Sequence, residues 1–308
     1  MYAITQNTFG GPEVLHGTEI DRPEPGPGEV LVRVRAAGVN PVDAAVRAGY
    51  FPLFPTPPRV LGWDVAGVVE SAGADVDRFA AGAEVFGLIG FPGEAGTYAE
   101  YVVARAEQLA PKPAALSMAE AGALPLAGLT AWQALVQIAE VAAGQRVLIH
   151  AAAGGVGHLA VQLAKARGAH VIATARTVNH DFLRALGANQ LIDYTSTDFA
   201  TTVDIVDVVL DLVGGDYAER SAPLLRPGGM LVTTVGHNPG FTPEAAERHG
   251  IRFGTVFVQP AAQELGELAT LAADGALRVH VEHEFPLGEA AKAHAPAGGA
   301  KGKTVLIP

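Results

Sequence analysis

Arg146-Val147-Leu148-Ile149-His150-Ala151-Ala152-Ala153-Gly154-Gly155-Val156-Gly157 is the stretch on which the fold turns. The run from Arg146 to His150 predicts an apolar strand, the small residues after it a tight turn, and Val156 to Arg167 a helix. Laid on the dinucleotide fingerprint G-x-G-x-x-G, Ala152 takes the place of the first glycine, Gly154 the second and Gly157 the third. Ala153, Gly155 and Val156 complete the turn. A glycine at 154 lets the backbone approach a pyrophosphate, and one at 157 lets the helix pack on the strand. The helix start then aims unpaired N–H groups and a positive dipole end at the phosphates. Alone, such a fingerprint is weak, because any tight strand-to-helix turn satisfies it.

The surroundings strengthen it. Ala169 to Thr174 predicts a strand, Asp181 to Leu186 a helix, Gln190 to Asp193 a short strand and Ile205 to Asp211 another. A helix around Asp216 to Leu225 and a strand from Met230 to Val235 follow. Nearly continuous apolar strands separated by helices indicate a parallel sheet covered on both faces, a doubly wound α/β fold. Beyond it, Gln263 to Ala273 predicts a helix, and Val279 to Phe285 and Thr304 to Ile307 return to β character. Upstream, short β-rich runs (Val30 to Arg35, Asp64 to Glu70, Glu84 to Leu88) alternate with loops such as Pro23 to Gly28 and Phe51 to Pro58, which predicts a barrel-like unit. Ser117 with Glu120 three residues on is a capping box opening a helix.

Composition narrows the partners. The 308 residues are 49% hydrophobic and 17% charged, which is globular, and the formal charge of −11 argues against nucleic acid or an anionic membrane as a partner. There is no cysteine, so disulfides, thiolate catalysis and the usual structural zinc site are excluded. The start Met1-Tyr2-Ala3-Ile4-Thr5 carries neither a basic segment nor an apolar one, so a cytoplasmic location is expected. The uncharged stretch Ala121 to Ala139 reaches spanning length, but Gly122, Pro125, Gly128, Thr130, Gln133 and Gln137 predict a buried helix with a broken first turn instead. Gly298-Gly299-Ala300-Lys301-Gly302-Lys303-Thr304 looks like a phosphate loop, yet it is one residue short and leads into a strand.

The cofactor's type is read at the end of the second strand, where an NAD site places a carboxylate on the ribose. Here the strand ends Thr174-Ala175-Arg176, and a guanidinium suits a 2′-phosphate, which predicts NADPH. Asn179, His180 and Tyr194 are placed to assist, and the bland alternative is that Arg176 is a solvated loop residue. The nearest acid, Asp181, suits a helix start.

Taken together, the chain resembles the zinc-independent quinone oxidoreductase branch of the medium-chain dehydrogenase/reductase superfamily. The resemblance spans essentially the whole chain. It is carried by Gly38-Val39-Asn40-Pro41-Val42-Asp43, Arg47-Ala48-Gly49-Tyr50, Leu61 to Val69, Gly128-Leu129-Thr130-Ala131-Trp132, Ala151 to Gly157, and Leu186-Gly187-Ala188 before Ile192-Asp193-Tyr194. It argues against a methyltransferase, which also uses a glycine-rich loop. It implies a Rossmann sheet inserted into a GroES-like β-barrel catalytic domain, with expected units 1–120, 121–258 and a C-terminal segment 259–308 returning to the first. In the zinc alcohol dehydrogenases a catalytic cysteine would stand at Asn40 and a ligand histidine at Trp63, so no metal site is expected. The ten histidines do not supply one and read as structural or exposed.

The resemblance also implies roles. Asn40 and Thr130 would flank the nicotinamide, and the backbone of Phe257-Val258 would hold its carboxamide. Val213-Gly214 would approach the adenosine half, and Val235-Gly236 the nicotinamide ribose. Asn40 would hydrogen-bond the substrate oxygen or merely order its own turn, Tyr50 would relay a proton or act as an aromatic gate, and Lys303 would reach the cofactor or only enter the last strand. Asp43 and Arg47 look like a helical ion pair. The expected reaction is hydride transfer from NADPH to a small electrophile, a quinone or an α,β-unsaturated carbonyl, by a homodimer. A pathway-specific enoyl or alkenal reductase and a non-catalytic NADPH-binding redox sensor are the alternatives.

Overall fold

The computed structural model describes residues 1–50, 57, 59–235, 240–295 and 301–308. Gly236, Gly298 to Ala300 and most of the Phe51 to Pro58 loop lie outside them.

The first layer is β-rich: β1 (Tyr2–Gln6), β2 (His16–Glu19), β3 (Glu29–Val39), β4 (Arg59–Val60), β5 (Asp64–Ala72), β6 (Glu84–Leu88), β7 (Tyr101–Arg105) and β8 (Leu109–Pro111). β3 runs four residues beyond the apolar run that predicted it, because Ala36 still pairs with β5 and the chain's last strand, Lys303–Ile307, pairs with Ala37 to Val39. Its far end delivers Asn40, which N-caps α1 (Pro41–Ala48) with Pro41 at the first helical position, where a missing N–H costs nothing.

The crossing to the second layer is the uncharged stretch from 121 to 139. Ser117 and Glu120 exchange hydrogen bonds, Glu120 N donating to Ser117 Oγ at 3.2 Å and Ser117 N to Glu120 Oε2 at 2.8 Å, and open α2 (Met118–Ala123). Pro125 then starts a separate helix, α3 (Pro125–Trp132), which passes into a π-helical turn, Gln133–Ile138. The expected break near the start of this helix falls at Pro125, since proline cannot continue the ladder of α2, while the π-helical continuation was not expected. No helix among the described residues is long and apolar enough to cross a membrane.

β9 (Arg146–Ile149), β10 (His170–Thr174), β11 (Gln190–Ile192), β12 (Val206–Asp211), β13 (Leu225–Thr233) and β14 (Arg252–Thr255) form a parallel sheet in the order β11-β10-β9-β12-β13-β14. Residue parity shows why the strands are apolar throughout. Val147, Ile149, Val171, Ala173, Val208 and Leu210 join one core cluster, while Leu148, Ile172, Val209 and Leu231 join the other, on the opposite face. β14 had no counterpart in the sequence reading, nor did the helix Pro243–His249 before it. Thr242 capping that helix through Ala245 N, with Pro243 behind it, was the signal available.

α4 (Gly157–Ala166) follows β9. A Cβ at Gly157 would stand 2.5 Å from Ala151 O and 2.6 Å from Ala152 Cα, both backbone, so this is where helix and strand touch. Finally β15 (Val281–Pro286) pairs with β16 (Lys303–Ile307), which lies antiparallel to β3 with Thr304 opposite Val39. The chain's last strand thus rejoins its first layer.

Gly157→Ala should lower the urea midpoint, equivalent to about 1–3 kcal/mol of overpacking. Gly266→Ala, inside the helix Ala262–Ala273 with nothing near its Cβ position, should raise it by about 0.5–1 kcal/mol. Midpoints moving in the same direction would contradict the close-packing account.

Candidate active site

The sheet reverses its strand order between β9 and β12, and the crevice outside the carboxyl ends of such strands is where α/β sheets receive ligands. The glycine-rich turn sits there. Ala151 adopts a left-handed φ of 48°, uncommon for a residue with a Cβ, and folds the chain back so that Gly154 N donates to its carbonyl at 3.0 Å. Beyond that carbonyl, 3.3 Å away, the Cβ direction of Gly154 is open. Next along the edge, Arg176 is exposed and its guanidinium makes no hydrogen bond or ion pair with any described residue. Its loop is anchored by Asp193, which accepts from Thr177 N (2.8 Å), Thr195 N (2.9 Å), Thr195 Oγ1 (2.6 Å) and Thr177 Oγ1. Those donors, led by the Thr177 hydroxyl, hold its carboxyl well below the usual carboxylate range.

Other predicted residues cluster on the same edge. His180 Nε2 lies 3.2 Å from Ala175 O, and Tyr194 and Val213 are exposed. Asp211 Oδ1 accepts from Val213 N at 2.9 Å and Gly214 N at 3.0 Å, shaping the turn after β12, and burial pushes its carboxyl up. Val235 N donates to Thr233 Oγ1 at 3.2 Å, just past β13. Thr174 is different: it is fully buried, with Oγ1 3.2 Å from His150 Nδ1, and turns into the sheet. Phe257 is 46% exposed and meets Phe91 ring to ring at 5.6 Å, while Val258 is buried. Their segment is held by Gln133, whose carboxamide accepts from Gln259 N and donates to Gln259 O, both at 3.0 Å.

Across the crevice lies a buried polar cluster. Asn40, 3% exposed, donates from Nδ2 to Asp64 Oδ2 at 2.9 Å and accepts at Oδ1 from Lys303 Nζ. Lys303 also donates to Val39 O at 3.1 Å and lies 3.6 Å from Asp64 Oδ2. Asp64 Oδ1 accepts from Leu126 N at 2.7 Å, capping α3, and Thr130 Oγ1 returns to Leu126 O at 2.7 Å. Burial pushes the Asp64 carboxyl up and the Lys303 ammonium down, while each partner's charge opposes that shift.

Behind Asn40, Asp43 Oδ2 accepts from Asn40 N (2.6 Å) and Tyr98 Oη (3.0 Å), and burial raises its carboxyl to about 7. Tyr98 Oη also lies 3.0 Å from His294 Nε2, and Arg47 Nη1 lies 3.0 Å from His294 Nδ1. The expected Asp43–Arg47 ion pair is therefore corrected: the two are linked through Tyr98 and His294, because both side chains turn into the core toward these polar groups.

The structure brings Asn40, Thr130 and Lys303 into one neighbourhood. Tyr50 is 81% exposed just beyond the end of α1. The sequence reading did not single out Asp64, Tyr98, His294 or Gln133. A carboxylate opening the otherwise apolar run Asp64-Val65-Ala66 was a signal for the first; the other three had none. Trp63 Nε1 donates to Gly93 O at 2.7 Å and its ring meets Phe91 edge-on. Among the described residues no group of three or more His, Cys, Asp or Glu is placed to hold a metal ion.

A glycine-rich turn at the switch point of a parallel sheet, facing a GroES-like unit, defines a medium-chain dehydrogenase/reductase. Residues 26–114 match the family described as alcohol dehydrogenase GroES-like domain, and 186–306 the one described as zinc-binding dehydrogenase. The quinone oxidoreductase from Coxiella burnetii superposes with a TM-score of 0.95 at 41% identity, covering 100% of this chain and 99% of that one. The Escherichia coli quinone oxidoreductase complexed with NADPH gives 0.90 at 32%, covering 100% of both chains. A 2-haloacrylate reductase from Burkholderia sp is 37% identical over 97% of this chain and 96% of its own. The chain belongs to the quinone oxidoreductase family of the medium-chain dehydrogenase/reductases and is an oxidoreductase.

His294 provides a pH test. Burial, then the Arg47 charge, push its imidazole down to about 4 from 6.5. The unfolded chain therefore takes up a proton that the fold refuses as pH drops from 6.5 toward 4, so this contribution is complete above 6.5 and is lost on acidification. Asp43 acts in the opposite sense but is common to both proteins compared. Between pH 7.5 and 5, His294→Gln should lose about 2 kcal/mol less stability than the unmodified protein. Parallel stability-versus-pH curves would refute the assignment.

Proposed function

We propose that the protein is a zinc-free, NADPH-dependent reductase of quinones or α,β-unsaturated carbonyls. The observation that carries this reading is the alignment along one sheet edge of the turn at Gly154, the unpaired Arg176 guanidinium and the turns at Val213 and Val235, with the glycine-rich turn meeting Lys303, the partner of Asn40. Gly154 to Gly157 and the start of α4 suit a pyrophosphate. Arg176, with His180 and Tyr194 beside it, suits a 2′-phosphate. The Asp193 carboxylate is occupied by protein donors and so does not replace the acidic ribose ligand of an NAD site.

Bound there, the cofactor would supply a hydride from its nicotinamide C4. The chain's part is to place the acceptor and stabilise charge on its oxygen. Asn40 has one Nδ2 N–H left after Asp64 takes the other, and that N–H faces the task of an oxyanion donor. Phe257, Phe91 and Trp63 form an aromatic wall for a flat conjugated acceptor and limit water. The reduced acceptor then takes its proton from solvent or from Tyr50, which is exposed enough to exchange with it. Among the described residues no donor set fits a metal, and an activated C=O or C=C acceptor, unlike alcohol oxidation, needs no Lewis acid.

NADPH should bind on the order of 10- to 100-fold more tightly than NADH, the worth of charge-assisted hydrogen bonds to one phosphate. Arg176→Asp should remove or reverse that preference, and titration with both cofactors checks it. Equal affinities in the unmodified protein would sink the NADPH assignment. NADPH oxidation followed with a quinone and an enone panel tests the reaction, and no turnover with any acceptor would return the reading to a redox sensor.

A further inference from the structure

We infer that Lys303 and Asp64 are positioning residues that act through Asn40, an ionic lock that fixes which way its carboxamide points. The inference rests on the function proposed above. The two ends of a primary amide are nearly the same size, so shape alone does not choose between them. Turned one way, Asn40 offers an N–H to the substrate oxygen; turned the other, it offers a carbonyl that repels it.

The neighbours make the choice. A carboxylate only accepts and an ammonium only donates. With Asp64 Oδ2 at 2.9 Å from Nδ2 and Lys303 Nζ on Oδ1, a flip would set carbonyl against carboxylate and NH2 against ammonium, two repulsive contacts inside a buried site. Neither charged group is free to adapt. Asp64 Oδ1 is taken by Leu126 N, and the remaining Lys303 N–H groups face Val39 O and Asp64.

Lys303 is placed from its other end as well. Gly302 N donates to Ala153 O at 2.8 Å, and the lysine stem crosses the glycine-rich turn so closely that a Cβ at Gly155 would stand 2.9 Å from Lys303 Cδ. The turn therefore meets the aliphatic stem of Lys303, and the ammonium is spent on Asn40. This separates Lys303 from a phosphate ligand, whose loss would weaken NADPH binding instead of slowing the reaction.

The test is a double-mutant cycle on Asn40→Ala and Lys303→Met, with 1,4-benzoquinone and 2-cyclohexenone as acceptors at saturating NADPH. Each single change should lower kcat on the order of 10- to 100-fold with NADPH affinity little changed, and the pair should be no slower than Asn40→Ala alone. Effects that multiply would overturn the lock, because Lys303 would then act without Asn40. If Lys303→Met does not fold, the near-isosteric Asp64→Asn takes its place, and an effect of Asp64→Asn that survives in the Asn40→Ala background is equally fatal. Should the unmodified protein turn over neither acceptor, the proposed function fails and the lock is still decided by NMR of the Asn40 side-chain amide, identified by its loss in Asn40→Ala. An Asn40 side-chain amide that is protected from exchange with solvent, and whose signals shift and lose that protection in the lock variant, supports it, and signals unchanged by that variant reject it.

Discussion

The pairing of the last strand with the third is the contact from which the site follows. β16 runs antiparallel to β3, and because Thr304 lies opposite Val39, Lys303 comes level with Asn40 at the point where β3 gives way to α1. One residue earlier, the chain touches the glycine-rich turn through Gly302 and Ala153. A slip of one residue in that register would turn Lys303 to the other face of the sheet and leave Asp64 a buried, uncompensated charge. Removing one partner of such a pair costs about 3–5 kcal/mol, so the register and the ion pair enforce each other.

The site divides into two kinds of surface with different physics. The Rossmann edge is built from backbone: open glycine positions, a helix start and turns shaped by Asp193 and Asp211, with Arg176 as its cationic side chain. Such a surface suits phosphates, whose charge is met by fixed dipoles without moving side chains. The opposite surface is built from side chains buried among one another, where Asn40, Asp64, Lys303, Asp43, Tyr98, His294 and Arg47 are joined in succession. Low local polarity makes each of those hydrogen bonds stronger and each vacancy more costly.

The same burial accounts for the titration pattern. Carboxyls at Asp43 and Asp64 are pushed up, imidazoles at His150, His158 and His294 down, and in every case desolvation is the largest cause. His150 and His158 serve the sheet: His150 joins Thr174 to Ser221, and His158 joins Gly154 O to His280 N. They are structural, as strand-end and helix-start histidines in apolar surroundings suggest.

The sequence by itself determined the strand, turn and helix around Gly154, the alternation that makes a parallel sheet, and the position of Arg176. Each depends on residues within one or two turns of chain, where spacing and side-chain type carry the signal. It stopped short at β14, whose four residues are too few to show a period, and at the π-helical continuation within 121–139. Only the tertiary structure decided what Asn40 is joined to. Asp64, Lys303, Tyr98 and His294 lie far from Asn40 or from each other in the chain, 263 residues in the case of Lys303, and meet through strand pairing between the chain's two ends. No local pattern marks such a contact, because its energy comes from burying complementary charges together, a property of the assembled core and not of any segment.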